Sequence, residues 1–175
     1  MTIAIGCDHA GFQLKEKIKD YLESKNLAFE DFGTFDEESV DYPDYAFYVS
    51  KAVASGKCEK GILVCGTGIG VGIAANKVPG IRAALCHDLF SAEATREHND
   101  SNVLTMGARV VDWNIALDIV DTWLKTEFAG GRHQRRVNKI TAIEDMMAIE
   151  RAEEIALAIA DNKKEKNGSD DNVSE

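Results

Sequence analysis

Gly61-Ile62-Leu63-Val64-Cys65-Gly66-Thr67-Gly68-Ile69-Gly70-Val71-Gly72 is the stretch that decides the fold. Its first five residues carry no polar position, so they predict a central strand covered on both faces rather than a half-exposed, alternating one. The strand runs straight into a glycine loop, from which a small-residue helix leads to Lys77. Strand, glycine turn and helix in that order make the first half of a parallel βαβ unit.

The same rhythm continues on both sides. Thr2-Ile3-Ala4-Ile5 reads as a strand, and Leu14, Ile18, Tyr21 and Leu22 at three- and four-residue spacing give a helix with one apolar face. Ala28 to Phe32 is a second strand. After an acidic loop from Gly33 to Asp41, Pro43 opens a helix with Ala46, Val49, Val53 and Ala54 on its inner side, and Gly56 closes it. Downstream, strands are predicted at Ile81 to Cys86 and Val103 to Met106, separated by a helix from Asp88 to Glu97. Helices follow from Asp112, with Ile115, Ile119, Val120 and Trp123 inward, and from Thr141 to Ala160. The fold class is α/β: a Rossmann-like three-layer αβα sandwich with a five-stranded, mostly parallel sheet and a C-terminal helical extension. Residues 1–160 form one domain in this reading. From Asp161 the chain is charged and has no apolar periodicity, which predicts a disordered tail over 161–175.

The 175 residues are 45% hydrophobic, enough for one full core. A formal net charge of -10 argues against nucleic-acid binding, which needs surplus Lys and Arg to displace counterions. No apolar run reaches the roughly 18 residues a membrane span needs, and the N-terminus enters a strand with no basic and apolar leader before it, so the expected location is cytoplasmic. Cys7, Cys58, Cys65 and Cys86 show no paired or zinc-ribbon spacing, so neither disulfides nor a metal are expected.

In open parallel sheets ligands gather where strands end and helices begin. Cys7, Asp8 and His9 follow the first strand, Cys65 and the glycine loop the third, and His87 the fourth; His98 and Asn99 are grouped with them. Neither Gly6-x4-Gly11 nor Gly61-x4-Gly66 is followed by the lysine a nucleotide-phosphate loop requires, and the dinucleotide pattern fits only from Gly70, well past the strand. Two readings of the glycines stay open: tight packing, or an oxyanion cradle of backbone N–H groups. The positive end of the helix would favour the Cys65 thiolate and make it a base or nucleophile, with Cys7 as the competitor. Gly130-Gly131-Arg132-His133-Gln134-Arg135-Arg136 concentrates positive charge in an acidic chain, as a phosphate site or as a solvated turn.

Several blocks together resemble the ribose-5-phosphate isomerase B family. They are Gly6-Cys7-Asp8-His9-Ala10-Gly11-Phe12, Asp41-Tyr42-Pro43, Cys65-Gly66-Thr67-Gly68-Ile69-Gly70, Ala74-Ala75-Asn76-Lys77, His98-Asn99-Asp100, and Gly131-Arg132-His133-Gln134 with Arg136. Order and spacing hold to about Ile143. The resemblance implies interconversion of D-ribose 5-phosphate and D-ribulose 5-phosphate through an enediolate, in the non-oxidative pentose phosphate pathway, with no metal or other cofactor. It implies Cys65 as the base, Thr67 beside it, and His98 as the group that opens the sugar ring. Backbone from Gly66 through Gly68 and Ile69 to Gly70 would hold the enediolate oxygen, Asp8 and Asn99 the hydroxyls, and Tyr42 the pocket wall. His9, Arg109, Arg132 and Arg136 would hold phosphate. A branch of the family replaces the cysteine with a glutamate at the place of Val71; this chain carries Cys65 and resembles the cysteine branch. The family likeness further implies a homodimer or a dimer of dimers with shared active sites, in which His98, Asn99 and Arg109 come from the partner.

Two rivals remain at this stage. A hexose-phosphate isomerase acting on allose or galactose 6-phosphate would use the same blocks. A non-catalytic phosphate- or nucleotide-binding module would have no use for Cys65 beside Thr67. The apolar positions Ile149, Ala152, Ile155, Ala156 and Ile159 predict one buried side for the last helix, against its own domain or against another subunit.

Overall fold

The structure, a computed structural model, describes the backbone of residues 1–170 and the side chains of residues 1–159. Five strands alternate with helices: β1 (Thr2–Cys7), α1 (Phe12–Ser24), β2 (Ala28–Asp31), α2 (Tyr42–Ala54), β3 (Lys60–Cys65), α3 (Ile69–Ala75), β4 (Ala83–Leu85), α4 (Leu89–Asn99), β5 (Val103–Gly107), α5 (Trp113–Lys125) and α6 (Arg132–Asp170), with a short 3₁₀ turn at His9–Gly11. The strands form one sheet in the order β2-β1-β3-β5-β4, and every pairing is parallel.

The apolar run that predicts β3 has the reason given for it. Ile62 and Val64 enter a core with Ile3, Ile5, Ile18, Leu22, Leu104, Met106, Ile119 and Trp123. Leu63 and Cys65 enter a second core, on the other face of the sheet, with Ala4, Val49, Val53, Val71 and Val103. β3 is therefore buried on both sides, and its last residue faces the layer that contains α2 and α3.

Details differ from the sequence reading. Ile115 is 46% exposed, and its neighbour Ala116 takes the inward position on α5. Ala54 is exposed and Ala52 is buried in its place. α6 begins at Arg132, not near Thr141, because Gly130 and Gly131 both adopt positive φ (62° and 53°) and the chain turns there. Chain contacts divide the molecule into Met1–Arg136 and a second unit that begins at Val137 and comprises the body of α6. Ile149, Ala152, Ile155, Ala156 and Ile159 are all exposed, so the second unit by itself does not bury the expected side. Of the tail expected from Asp161, residues 161–170 continue α6 and residues 171–175 lie outside the described part.

Candidate active site

At the carboxyl edge of the sheet, β1 hands the chain to Asp8. The backbone N–H of Asp8 donates to Val64 O (3.2 Å) on β3, and the carboxylate of Asp8 accepts the Gly11 N–H (3.0 Å), which starts the 3₁₀ turn. Gly11 lies so close to β3 that a Cβ there would meet Val64 O at 2.5 Å. His9 follows on the same turn, and its Nδ1 accepts the Val40 N–H at 3.3 Å. That bond ties the 33–41 loop to the site and leaves Nε2 as the ring atom available to a ligand.

β3 delivers Cys65, buried and 5% exposed, whose Sγ accepts the Gly68 N–H at 3.0 Å. Gly68 holds φ 76°, and a Cβ on it would lie 2.5 Å from Leu85 Cδ1 and 2.6 Å from the Met106 carbonyl carbon. No residue with a side chain fits there. Thr67 Oγ1 accepts the Ile69 N–H (3.3 Å), which fixes the first turn of α3. The packing reading of the glycine loop holds: close packing forces the turn, and the turn aims the Gly68 N–H at the thiol. α3 has only seven residues, so the local N–H groups matter more here than the summed dipole.

Around this loop stand three further groups. The Tyr42 ring covers Gly70, where a Cβ would come within 2.8 Å of Tyr42 Cε2. Arg109 Nη1 would lie 3.5 Å from a Cβ at Gly66, and the Arg109 N–H donates to Gly66 O (3.0 Å). The chain's own Arg109 therefore lies beside the chain's own loop, in contrast to the expectation that it comes from a partner. His87, named from the sequence only as a strand-end residue, brings Nε2 to 3.4 Å from Thr67 O.

The remaining thiols are poor competitors. Burial pushes Cys7 up to about 12, with the nearby Lys15 opposing, and burial pushes Cys86 to about 12 as well. Cys58 is also raised, first by burial and then by Glu30. Cys7 points into the core with Ile3 and Ile5, away from the α3 layer.

The second group of expected residues is elsewhere. α4 runs back from the end of β4, so His98 and Asn99 at its C-terminus sit where β5 starts, not where β3 ends. The register pairs Gly61 with Val103 and Cys65 with Gly107, four residues or roughly 13 Å along the strand. Gly61 N–H donates to Asn102 O at the same edge as His98. The grouping of His98 and Asn99 with the strand ends is therefore corrected: a parallel crossover returns each helix to the amino edge. Asp100 closes α4 in a left-handed conformation (φ 48°) and accepts from Arg96 (2.8 Å) and Arg82 (2.9 Å), which holds the His98-Asn99 corner in place.

His98 is 45% exposed at its side chain, and His133 stacks on it with ring centroids 4.3 Å apart and planes 9° from parallel. Arg132 Nε donates to His133 Nε2 (3.3 Å). Desolvation, followed by His98, Arg132 and Arg136, holds His133 below its ordinary value. Arg132 and Arg136 are exposed at the start of α6. His133 had no assigned role in the sequence, although it stands inside the basic motif; only the stacking reveals it. Among the described residues no cluster of three or more His, Cys, Asp or Glu could hold a metal ion, and no helix is long and apolar enough to cross a membrane.

Residues 3–140 match the model of the Ribose/Galactose Isomerase family. The chain belongs to that family. Ribose-5-phosphate isomerase B of Escherichia coli is 53% identical over 142 residues, which are 81% of this chain and 95% of that one. A ribose-5-phosphate isomerase B structure from Clostridium thermocellum superposes with a TM-score of 0.83 at 56% identity, covering 84% of this chain and 99% of the other. D-erythrulose-4-phosphate isomerase of Pectobacterium atrosepticum is 46% identical over 142 residues, 80% of this chain and 93% of its own length. As a member of this isomerase family the chain is an enzyme, a sugar-phosphate isomerase, with the α/β fold of its relatives.

Proposed function

We propose that this isomerase interconverts D-ribose 5-phosphate and D-ribulose 5-phosphate, a step of the non-oxidative pentose phosphate pathway, with Cys65 as the base. The observation that carries the reading is Cys65 Sγ held at 3.0 Å by the Gly68 N–H at the mouth of the glycine loop. Cys65 takes the proton from C2 of the open-chain aldose and returns it to C1. Negative charge that develops on the substrate oxygen is met by backbone N–H groups of the Gly66–Gly70 loop other than those of Gly68 and Ile69, which already donate to Cys65 Sγ and Thr67 Oγ1. A positioned base of this kind contributes about 10²–10⁴-fold. Asp8 and Asn99 take sugar hydroxyls and Tyr42 lines the pocket.

His98 opens the furanose ring, and His9, Arg109, Arg132 and Arg136 hold phosphate. In one chain, however, His98, Asn99, Arg132 and Arg136 lie at the amino edge of the sheet and Cys65 at the carboxyl edge. A homodimer turned end for end about a twofold axis presents one edge of each subunit to the other edge of its partner, twice. Exposed Ile69, Ile73, Leu85, Leu89 and Phe90 beside the Cys65 loop support such an interface.

Purified protein is tested in EDTA for ribulose 5-phosphate formation from ribose 5-phosphate. Allose 6-phosphate, galactose 6-phosphate and erythrulose 4-phosphate are run in parallel. Fast turnover of the pentose, unaffected by EDTA, is expected. The erythrulose-4-phosphate relative favours a second reading, in which the same site takes a sugar phosphate of another chain length, and preference for one of the parallel substrates would replace the pentose assignment.

A further inference from the structure

The Thr67–Gly68 peptide is held at both ends. Its N–H, on Gly68, donates to Cys65 Sγ at 3.0 Å, and its carbonyl, on Thr67, lies 3.4 Å from His87 Nε2. A carbonyl oxygen only accepts, so Nε2 carries the proton and donates. Donation to the carbonyl of a peptide unit polarises that unit and strengthens its N–H as a donor, because linked hydrogen bonds polarise one another. We propose that His87 is a positioning residue that acts through the Thr67–Gly68 peptide to orient and strengthen the hydrogen bond on the Cys65 sulfur. Its hydrogen bond to the loop is to Thr67 O.

The local structure places His87 for this task. It stands two residues beyond β4, whose Leu85 already packs against Gly68. Asp88, the next residue, is committed to capping α4 through the Ser91 N–H (2.7 Å) and hydroxyl (2.8 Å). Charged or titratable groups near the loop include Arg109, against Gly66, Tyr42, against Gly70, Asp88, whose charge acts on His87, and Asp8 and His9 at the 3₁₀ turn. His87 is exposed, so its replacement leaves the core intact.

This inference deepens the assignment of Cys65 as base, and its test needs no substrate. The alkylation rate of Cys65 by iodoacetamide is followed against pH in the wild type, His87→Leu and His87→Gln, with Cys65→Ser as the blank and circular dichroism to verify folding. Leu cannot donate, whereas the Gln amide reaches as far as Nε2. His87→Leu is expected to slow alkylation at pH 7 by about three- to tenfold, the range of one lost hydrogen bond, and to move the midpoint of the profile to higher pH; His87→Gln restores most of the rate. Isomerase kcat should fall with the alkylation rate while KM changes little. An unchanged alkylation profile in folded His87→Leu overturns the proposal, as does an equal loss in His87→Gln. Because alkylation is read without sugar, loss of the isomerase assignment would leave this result standing, and the reverse.

Discussion

The two edges of the sheet carry opposite kinds of site. At the carboxyl edge, Cys65, Gly68, Asp8 and Gly11 are buried or glycine, and they are held by backbone bonds at fixed distances. At the amino edge, His98, Arg132 and Arg136 are exposed long or ring side chains around one buried histidine, His133. Under the roles proposed above, with His9 and Arg109 beside the base and His98 among the exposed cations, the difference is one of how firmly each group must be held. A base that removes a carbon-bound proton must be fixed before the substrate arrives, because misplacement costs rate steeply. Groups that grip a phosphate can be mobile cations, since their strength lies in charge-assisted, paired hydrogen bonds.

The sharpest break in that comparison is Cys65→Ala. It is expected to lower kcat for ribose 5-phosphate by about 10²–10⁴-fold with little change in substrate affinity, while Cys7→Ala keeps kcat within about twofold. Steady-state kinetics and calorimetric titration read both, and wild-type kcat in Cys65→Ala would end the base assignment.

Whether the edges meet across two subunits is tested by mixing. Cys65→Ala and His98→Asn subunits, each nearly inactive alone, are unfolded together and refolded. Random pairing yields about half heterodimers with one intact site each, so about a quarter of wild-type activity returns if sites are shared. No recovery would mean that each chain works alone.

Arg136→Ala should raise KM for ribose 5-phosphate by about 10- to 100-fold and leave kcat nearly unchanged, the mark of an interaction used mainly for binding. An equal drop in kcat would move Arg136 from grip to chemistry.

The smallest effect concerns His133. Its folded-state value lies below the ordinary 6.5, so below pH 6.5 the unfolded chain takes up a proton that the native chain does not, and stability falls as pH drops until the native ring also protonates. His133→Asn removes this difference. Its melting temperature between pH 7.5 and 5 is expected to decline less than that of the wild type, by on the order of 1–2 °C. Parallel declines would show that the stacked pair is not desolvated in solution.

Much of this was legible in the residues. An unbroken apolar β3 requires cover on both faces whatever surrounds it, and glycines after it require a tight turn, so sheet type and the Cys65 loop follow from local chemistry alone. The family blocks to about Ile143 also carry the isomerase assignment. Four things were not legible, because each depends on how distant segments meet. That His98 lies at the edge away from Cys65 follows from the parallel crossover, which reverses α4 against its strands. That Arg109 rests on its own Gly66 depends on the β3–β5 register. That His87 and Cys65 grip one peptide from its two ends, and that His133 stacks on His98, are contacts between segments about 20 and 35 residues apart. Residue type and spacing along the chain determine which side chains are available and which strands are buried. Only the packed structure, in which every crossover and register is set at once, decides which of them can touch.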